Sequence, residues 1–248
     1  MSASVLAVVV LIVAAAAVVR STFGFGDALV GMPLLALVVP LRTATPLMAL
    51  VGPTLAFLIL LRAWRRVDIK STLTLIAATL AGIPFGIYVL KNVREEAINL
   101  VLASVIVLFA LYSLLRPDLH RLKSGRSAPF FGLAAGVLGA ATNTNGPPVV
   151  FYGALRGWPP DAFRATIQGY FLFTGPAILI GQGAAGLLTA QVWRAYLCAM
   201  PLIVGSVWAG LWLGRRIPAP KFYRWIYLLL LAAGLGLLVK TLLVPPAA

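Results

Sequence analysis

Cysteine and histidine occur once each in this chain of 248 residues, and only six acidic side chains stand against twenty Lys and Arg. A lone cysteine, Cys198, excludes an intramolecular disulfide. With His120 as the single histidine, a Cys/His metal set cannot be built. Neither paired carboxylates nor a Ser-His-Asp arrangement can be assembled from this inventory, so neither an enzyme nor a cofactor is expected. Charge of any sign is scarce: 10% of the residues are Asp, Glu, Lys or Arg, too few to clothe a soluble globule.

What the chain has instead is apolar length. Hydrophobic residues make up 61% of it and the mean hydropathy is +1.00. The fold class this predicts is an all-α polytopic membrane protein, a single transmembrane domain over residues 1–248. The formal net charge of +14 would suggest nucleic acid in a soluble protein. Here the basic residues fall mainly between apolar spans and build no basic face with interleaved aromatics, which excludes that partner. The N-terminal apolar run has no basic stretch before it and has a counterpart in mid-chain, so it reads as a structural element and not as a cleaved signal.

Two apolar segments are interrupted. Val5 to Val19 gives way to Ser21-Thr22-Phe23-Gly24-Phe25-Gly26-Asp27 and resumes from Ala28 to Leu41; Ala128 to Ala141 gives way to Thr142-Asn143-Thr144-Asn145-Gly146-Pro147-Pro148 and resumes from Val149 to Leu155. At about 1.5 Å per residue a helix needs about 20 residues to cross the hydrocarbon, and all four pieces fall short of that. They read as half-helices or hairpins broken at depth. Unpaired backbone at that depth survives where it lines a cavity, so short interrupted segments in two halves point to a transporter's binding site.

Three longer spans follow each break: Thr43–Leu61, Ser71–Leu90 and Ala97–Leu115, then Ala165–Ile180, Val192–Leu213 and Phe222–Leu243. Arg42 precedes a span containing Gly52-Pro53, and Arg164 one containing Gly175-Pro176. Gly82-x-x-x-Gly86 has a partner in Gly210-x-x-x-Gly214. These matches predict a duplicated unit, the repeats covering 1–115 and 128–248. Arg62, Arg65, Arg66 and Lys70 share one loop, Arg116, Arg121, Lys123 and Arg126 a second, and Arg215, Arg216, Lys221 and Arg224 a third; all three are expected to be cytoplasmic. That holds only if each broken pair enters and leaves on one side. Each half then crosses an odd number of times, giving two inverted-topology repeats with both chain ends outside.

Gly31-Met32-Pro33-Leu34-Leu35, Gly132-Leu133-Ala134-Ala135-Gly136 leading into Gly146-Pro147-Pro148-Val149-Val150, and Asp161-x-x-Arg164-Ala165-Thr166-x-Gln168-Gly169 resemble the TauE/SafE family, the sulfite exporter-like permeases. The likeness covers essentially the whole chain. It implies a secondary transporter for sulfur-containing or related organic anions in a bacterial plasma membrane.

The site residues expected for such an anion are Gly24, Gly26, Asn143, Thr144, Asn145, Gly146 and Gln168. Two half-helix N-termini would each offer unpaired N–H groups, glycines permit close approach, and the neutral amides and hydroxyls orient an oxyanion without trapping it. Gly24 and Gly26 could instead serve helix packing, and Asn143 and Asn145 could cap the following half-helix. Asp27 is the one acid within either broken segment, with Arg20 nearby. It reads as a coupling residue for a proton or sodium ion, as half of a static ion pair, or as a group at the outer interface. The expected partners are a small anion, the lipid bilayer, the coupling ion and, as an open alternative to a monomer, further copies of the chain in a homo-oligomer. An anion channel and a structural membrane subunit are the alternatives to a transporter.

Overall fold

The computed structural model describes residues 1–60, 69–115, 125–158, 160–216 and 219–243. Ten α-helices and one 3-10 turn make up nearly all of these residues, and no strand occurs among them. In chain order the helices are α1 (Ala3–Phe23), α2 (Asp27–Ala36), α3 (Leu41–Leu60), α4 (Ile69–Asn92), α5 (Glu95–Leu115), α6 (Ala128–Thr142), α7 (Gly146–Arg156), α8 (Pro160–Ala184), α9 (Ala190–Arg216) and α10 (Ala219–Leu243). In hydrocarbon a helix satisfies its backbone within a single segment, which is why apolar runs as proline-rich as these still form helices. Pro33, Pro46, Pro53, Pro84, Pro176 and Pro201 all lie inside helices. The six long spans appear where the hydropathy pattern puts them, lengthened by a few residues at most ends.

The first broken segment departs from expectation. α1 runs 21 residues, long enough to cross a membrane, because the helix continues through Arg20, Ser21, Thr22 and Phe23. Its piece therefore does not fall short, whereas α2, α6 and α7, with 10, 15 and 11 residues, do. The breaks themselves are also shorter than the polar stretches. Only Gly24–Gly26 and Asn143–Asn145 are non-helical, Asp27 and Gly146 being the first residues of α2 and α7.

Nine of the ten residues of α2 are buried, so it is an internal element that lipid does not reach. The outside of the molecule is apolar instead, with Leu11, Phe85, Leu108, Phe130, Phe173 and Trp212 all exposed. Such an exterior is stable in lipid and would aggregate in water.

Small residues set the closest packing. A Cβ on Gly82 of α4 would sit 2.5 Å from the Leu133 carbonyl oxygen of α6, and one on Gly132 of α6 would sit 2.6 Å from the Leu75 carbonyl oxygen of α4. Gly210 of α9 lies as tightly against Val18 and Ser21 of α1, and its carbonyl accepts a hydrogen bond from the Thr22 hydroxyl at 3.2 Å. Without a hydrophobic drive between helices in lipid, this backbone approach is what holds them together. Exchanging α1–α5 with α6–α10 returns most of the principal helix pairings: α4 on α6 becomes α9 on α1, α4 on α8 becomes α9 on α3, while α3 on α8 and α5 on α10 map onto themselves. The register is constant from the breaks into the helix that follows each of them: Gly24 corresponds to Asn143, Asp27 to Gly146 and Leu41 to Pro160. Of the basic loop residues, Arg62, Arg65, Arg66, Arg116, Arg121 and Lys123 lie outside the described residues, as does His120.

Candidate functional site

Each break is built by a left-handed residue. Gly24 has φ +87° and Gly26 φ +101°, a region where a Cβ costs roughly 1–2 kcal/mol. Asn143, at φ 57°, is the one non-glycine residue with positive φ among the described residues. The Gly24 N–H bonds the Arg20 carbonyl at 2.6 Å, and the Asn143 N–H bonds the Gly139 carbonyl at 2.8 Å. The same αL cap thus ends α1 and α6. Asn143 caps the end of α6, not the start of α7, and the glycines serve backbone conformation first, helix packing second.

Carbonyls at the end of α6 and in the first break are satisfied from α3 and α8. Thr45 donates to the Ala141 carbonyl at 3.2 Å and Gln182 Nε2 to the Ala140 carbonyl at 3.0 Å. Gln168 Nε2 donates to the Gly24 carbonyl. Both glutamines are buried, and their Oε1 atoms have no partner among the described residues. Gln168 thereby braces the first break.

Between the breaks lies one cavity of about 30 Å³. Gly26 and Asp27 line it from the first half, and Asn143, Thr144, Asn145 and Gly146 from the second. Gly52-Pro53 of α3 and Phe171 and Gly175 of α8 close the remaining walls. Five of the seven expected site residues, with Asp27, therefore meet in one place; Gly24 and Gln168 stand behind the wall. Thr142 donates to the Leu138 carbonyl at 2.9 Å, so in its 2.7 Å contact with Thr144 the donor is Thr144. The oxygen of Thr144 is left with acceptor capacity. Asn145 Nδ2 points to the Thr174 hydroxyl at 3.4 Å.

The charged part of the wall is an ion pair. Arg20 Nη1 donates to Asp27 Oδ2 at 2.8 Å, with side chains 3% and 6% exposed. Asp27 is thus buried in the protein and paired. It is also the first residue of α2, where a carboxylate offsets the positive end of the helix. Phe171 lies under the guanidinium, its centroid 4.8 Å from Cζ. Nε and Nη2 of Arg20 are buried with no acceptor among the described residues. A charged donor left so costs more than the roughly 1–3 kcal/mol of a neutral one.

The half-helix ends are weaker donors than expected. Asp27 compensates the start of α2, and Pro147 and Pro148, which have no N–H, occupy the first turn of α7. Sequence reasoning left Phe171 and Thr174 unremarked. The signal beside them was Gly175-Pro176, read as a repeat marker: α3 and α8 cross there, a Cβ on Gly175 falling 3.0 Å from Pro53 Cγ. Arg42, which precedes the first long span, donates to the Lys91 carbonyl at 2.7 Å.

A family model described as Sulfite exporter TauE/SafE matches residues 9–237. No curated protein and no solved structure matches the chain. The match takes in both breaks and every helix that lines the cavity, and with it the chain belongs to the sulfite exporter TauE/SafE family of membrane transporters.

Proposed function

We propose that the protein is a secondary transporter, a permease or exporter, for small organic or sulfur-containing anions such as sulfite or sulfonates, and that the anion binds between the two breaks. The observation that carries this reading is the shared cavity: two αL-capped breaks from separate halves face each other across two amides, a buried hydroxyl and a buried ion pair. Backbone interruptions of this kind are tolerated in a membrane where they serve a ligand. Asp27 carries the coupling proton or sodium ion. The halves 1–115 and 128–248 are inverted-topology repeats, a reading supported by the helix pairings that return on exchange. The basic loops face the cytoplasm, both ends of the chain lie outside, and the membrane is a bacterial plasma membrane.

Purified protein in liposomes, offered labelled sulfite, sulfonates and carboxylates under imposed proton and sodium gradients, tests the reading. Asn143→Gly keeps the left-handed backbone and deletes the amide; Asn145→Ala deletes the second. Each should weaken apparent affinity by about tenfold or more, the worth of one hydrogen bond to a charged ligand. Wild-type kinetics in both variants would remove the second break from the site.

A further inference from the structure

We infer that Arg20 is the charged ligand of the transported anion, and that it binds through the side-on edge of its guanidinium. The assignment rests on the anion-transport reading above and adds to it a residue, a geometry and a ligand class.

A guanidinium is planar and carries five N–H groups in fixed directions. In Arg20 one corner is taken, because Nη1 donates to Asp27 Oδ2 at 2.8 Å. One face is taken as well, by the Phe171 ring. The Nε–H and the Nη2–H beside it remain, parallel and pointing the same way. Both atoms are buried and neither meets an acceptor among the described residues. Arg20 is 3% exposed and lies on the wall of the cavity. A parallel pair of charged donors matches two oxygens on one centre, the arrangement in a carboxylate, a sulfonate or sulfite. A halide offers a single centre to the same fork and is held less well.

The rest of the wall agrees. With the start of α2 compensated by Asp27 and two N–H groups missing from the first turn of α7, the guanidinium of Arg20 is the strongest donor group among the residues of the cavity wall. Phe171 and Asp27 fix the plane and the rotation of the guanidinium. They are positioning residues here, since neither needs to touch the anion. The second half has Gly139 and Gly146 where the first has Arg20 and Asp27, so the cavity holds one such fork and takes one oxyanion.

The test uses the full-length protein in detergent and in liposomes, with sulfite, methanesulfonate and acetate as probes and chloride as control. Arg20→Lys keeps a positive charge beside Asp27 but has no fork. The double variant Arg20→Gln/Asp27→Asn removes both charges at nearly constant volume, and carries the test if the lysine variant does not fold. Wild type should bind at least one oxyanion at least tenfold more tightly than chloride by calorimetry. The variants should bind it about a hundredfold more weakly, with oxyanion exchange lost to match. Oxyanion affinity within threefold of wild type in a folded variant, with only its melting temperature lowered, would make Arg20 structural and overturn the assignment. Wild type that neither binds nor exchanges any of the three oxyanions would instead overturn the transport reading, and this inference with it.

Discussion

Three residues with positive φ, Gly24, Gly26 and Asn143, decide where the two interrupted helices stop and restart. A side chain at either glycine forces a Cβ into the left-handed region, so Gly24→Ala and Gly26→Ala should each destabilise the protein by about 1–2 kcal/mol. Gly205 and Gly236 lie inside helices with open space around them, and alanine there should be neutral or stabilising by up to about 1 kcal/mol. Thermal unfolding in detergent separates the two sets; Gly24→Ala melting like wild type would show that its φ is not what fixes the break. At this scale the sequence was readable where chemistry is local. An acid with an arginine seven residues before it marks a pair, whereas Asn143, read as a cap for the following half-helix, is the left-handed cap of the one before it. Phe171 and Thr174 were not readable, because Phe171 reaches the cavity and Thr174 reaches Asn145 from α8, and nothing near Phe171 in the chain sets it apart from other aromatic residues in apolar helices.

At the scale of elements, α1 shows how counting apolar residues misjudges a helix. The count stops at Val19 because Arg20 is charged, yet the helix runs on for another turn, since Asp27 neutralises that charge from across the break. Ser21 and Thr22 then lie where α9 comes closest, and the Thr22 hydroxyl bonds the Val18 carbonyl of its own helix at 2.7 Å. The long spans were legible almost to their ends because their hydropathy does not depend on partners. Which helix lies on which was not. The Gly82-x-x-x-Gly86 motif marks a packing face without naming the partner, and the partner is the glycine face of α6. Adding a methyl at such a contact should cost about 1–3 kcal/mol, and Gly82→Leu or Gly136→Leu should abolish the folded protein. Gly236→Leu, on an open stretch of α10, should express and purify normally. Normal monodisperse yield from Gly136→Leu would mean that the two backbones do not pack this closely.

For the whole molecule, the orientation proposed from the basic loops can be read by cysteine accessibility. Cys198 is exposed and would be replaced by serine first. A cysteine at Asn92, the last residue of α4, should be labelled from outside intact cells, and one at Gly125, beside Arg126, only after the membrane is opened. The reverse pattern defeats the proposed orientation. The charge bias of the loops is legible without any structure, because insertion responds to Lys and Arg near span ends. A site shared by the two breaks is expected from their matching places in the two halves; the walls that α3 and α8 add to it are not, since they depend on how those helices cross.

The buried pair of Arg20 and Asp27 sums to zero charge. An anion of charge minus one added to it leaves the site negative, and a proton on Asp27 restores neutrality. A carrier loaded in that way moves no charge through the electric field, which otherwise acts with about 2.3 kcal/mol per charge for each 100 mV. Net flux in liposomes should then keep its rate when a potassium diffusion potential of either sign is imposed. In Asp27→Asn a full cycle would move the anion's charge uncompensated, and the same potential should speed or slow it according to sign. Wild-type flux that follows voltage as strongly as the variant's would take the proton away from Asp27. On the proposed coupling role, a single buried carboxylate determines whether this transporter can sense the voltage of its membrane.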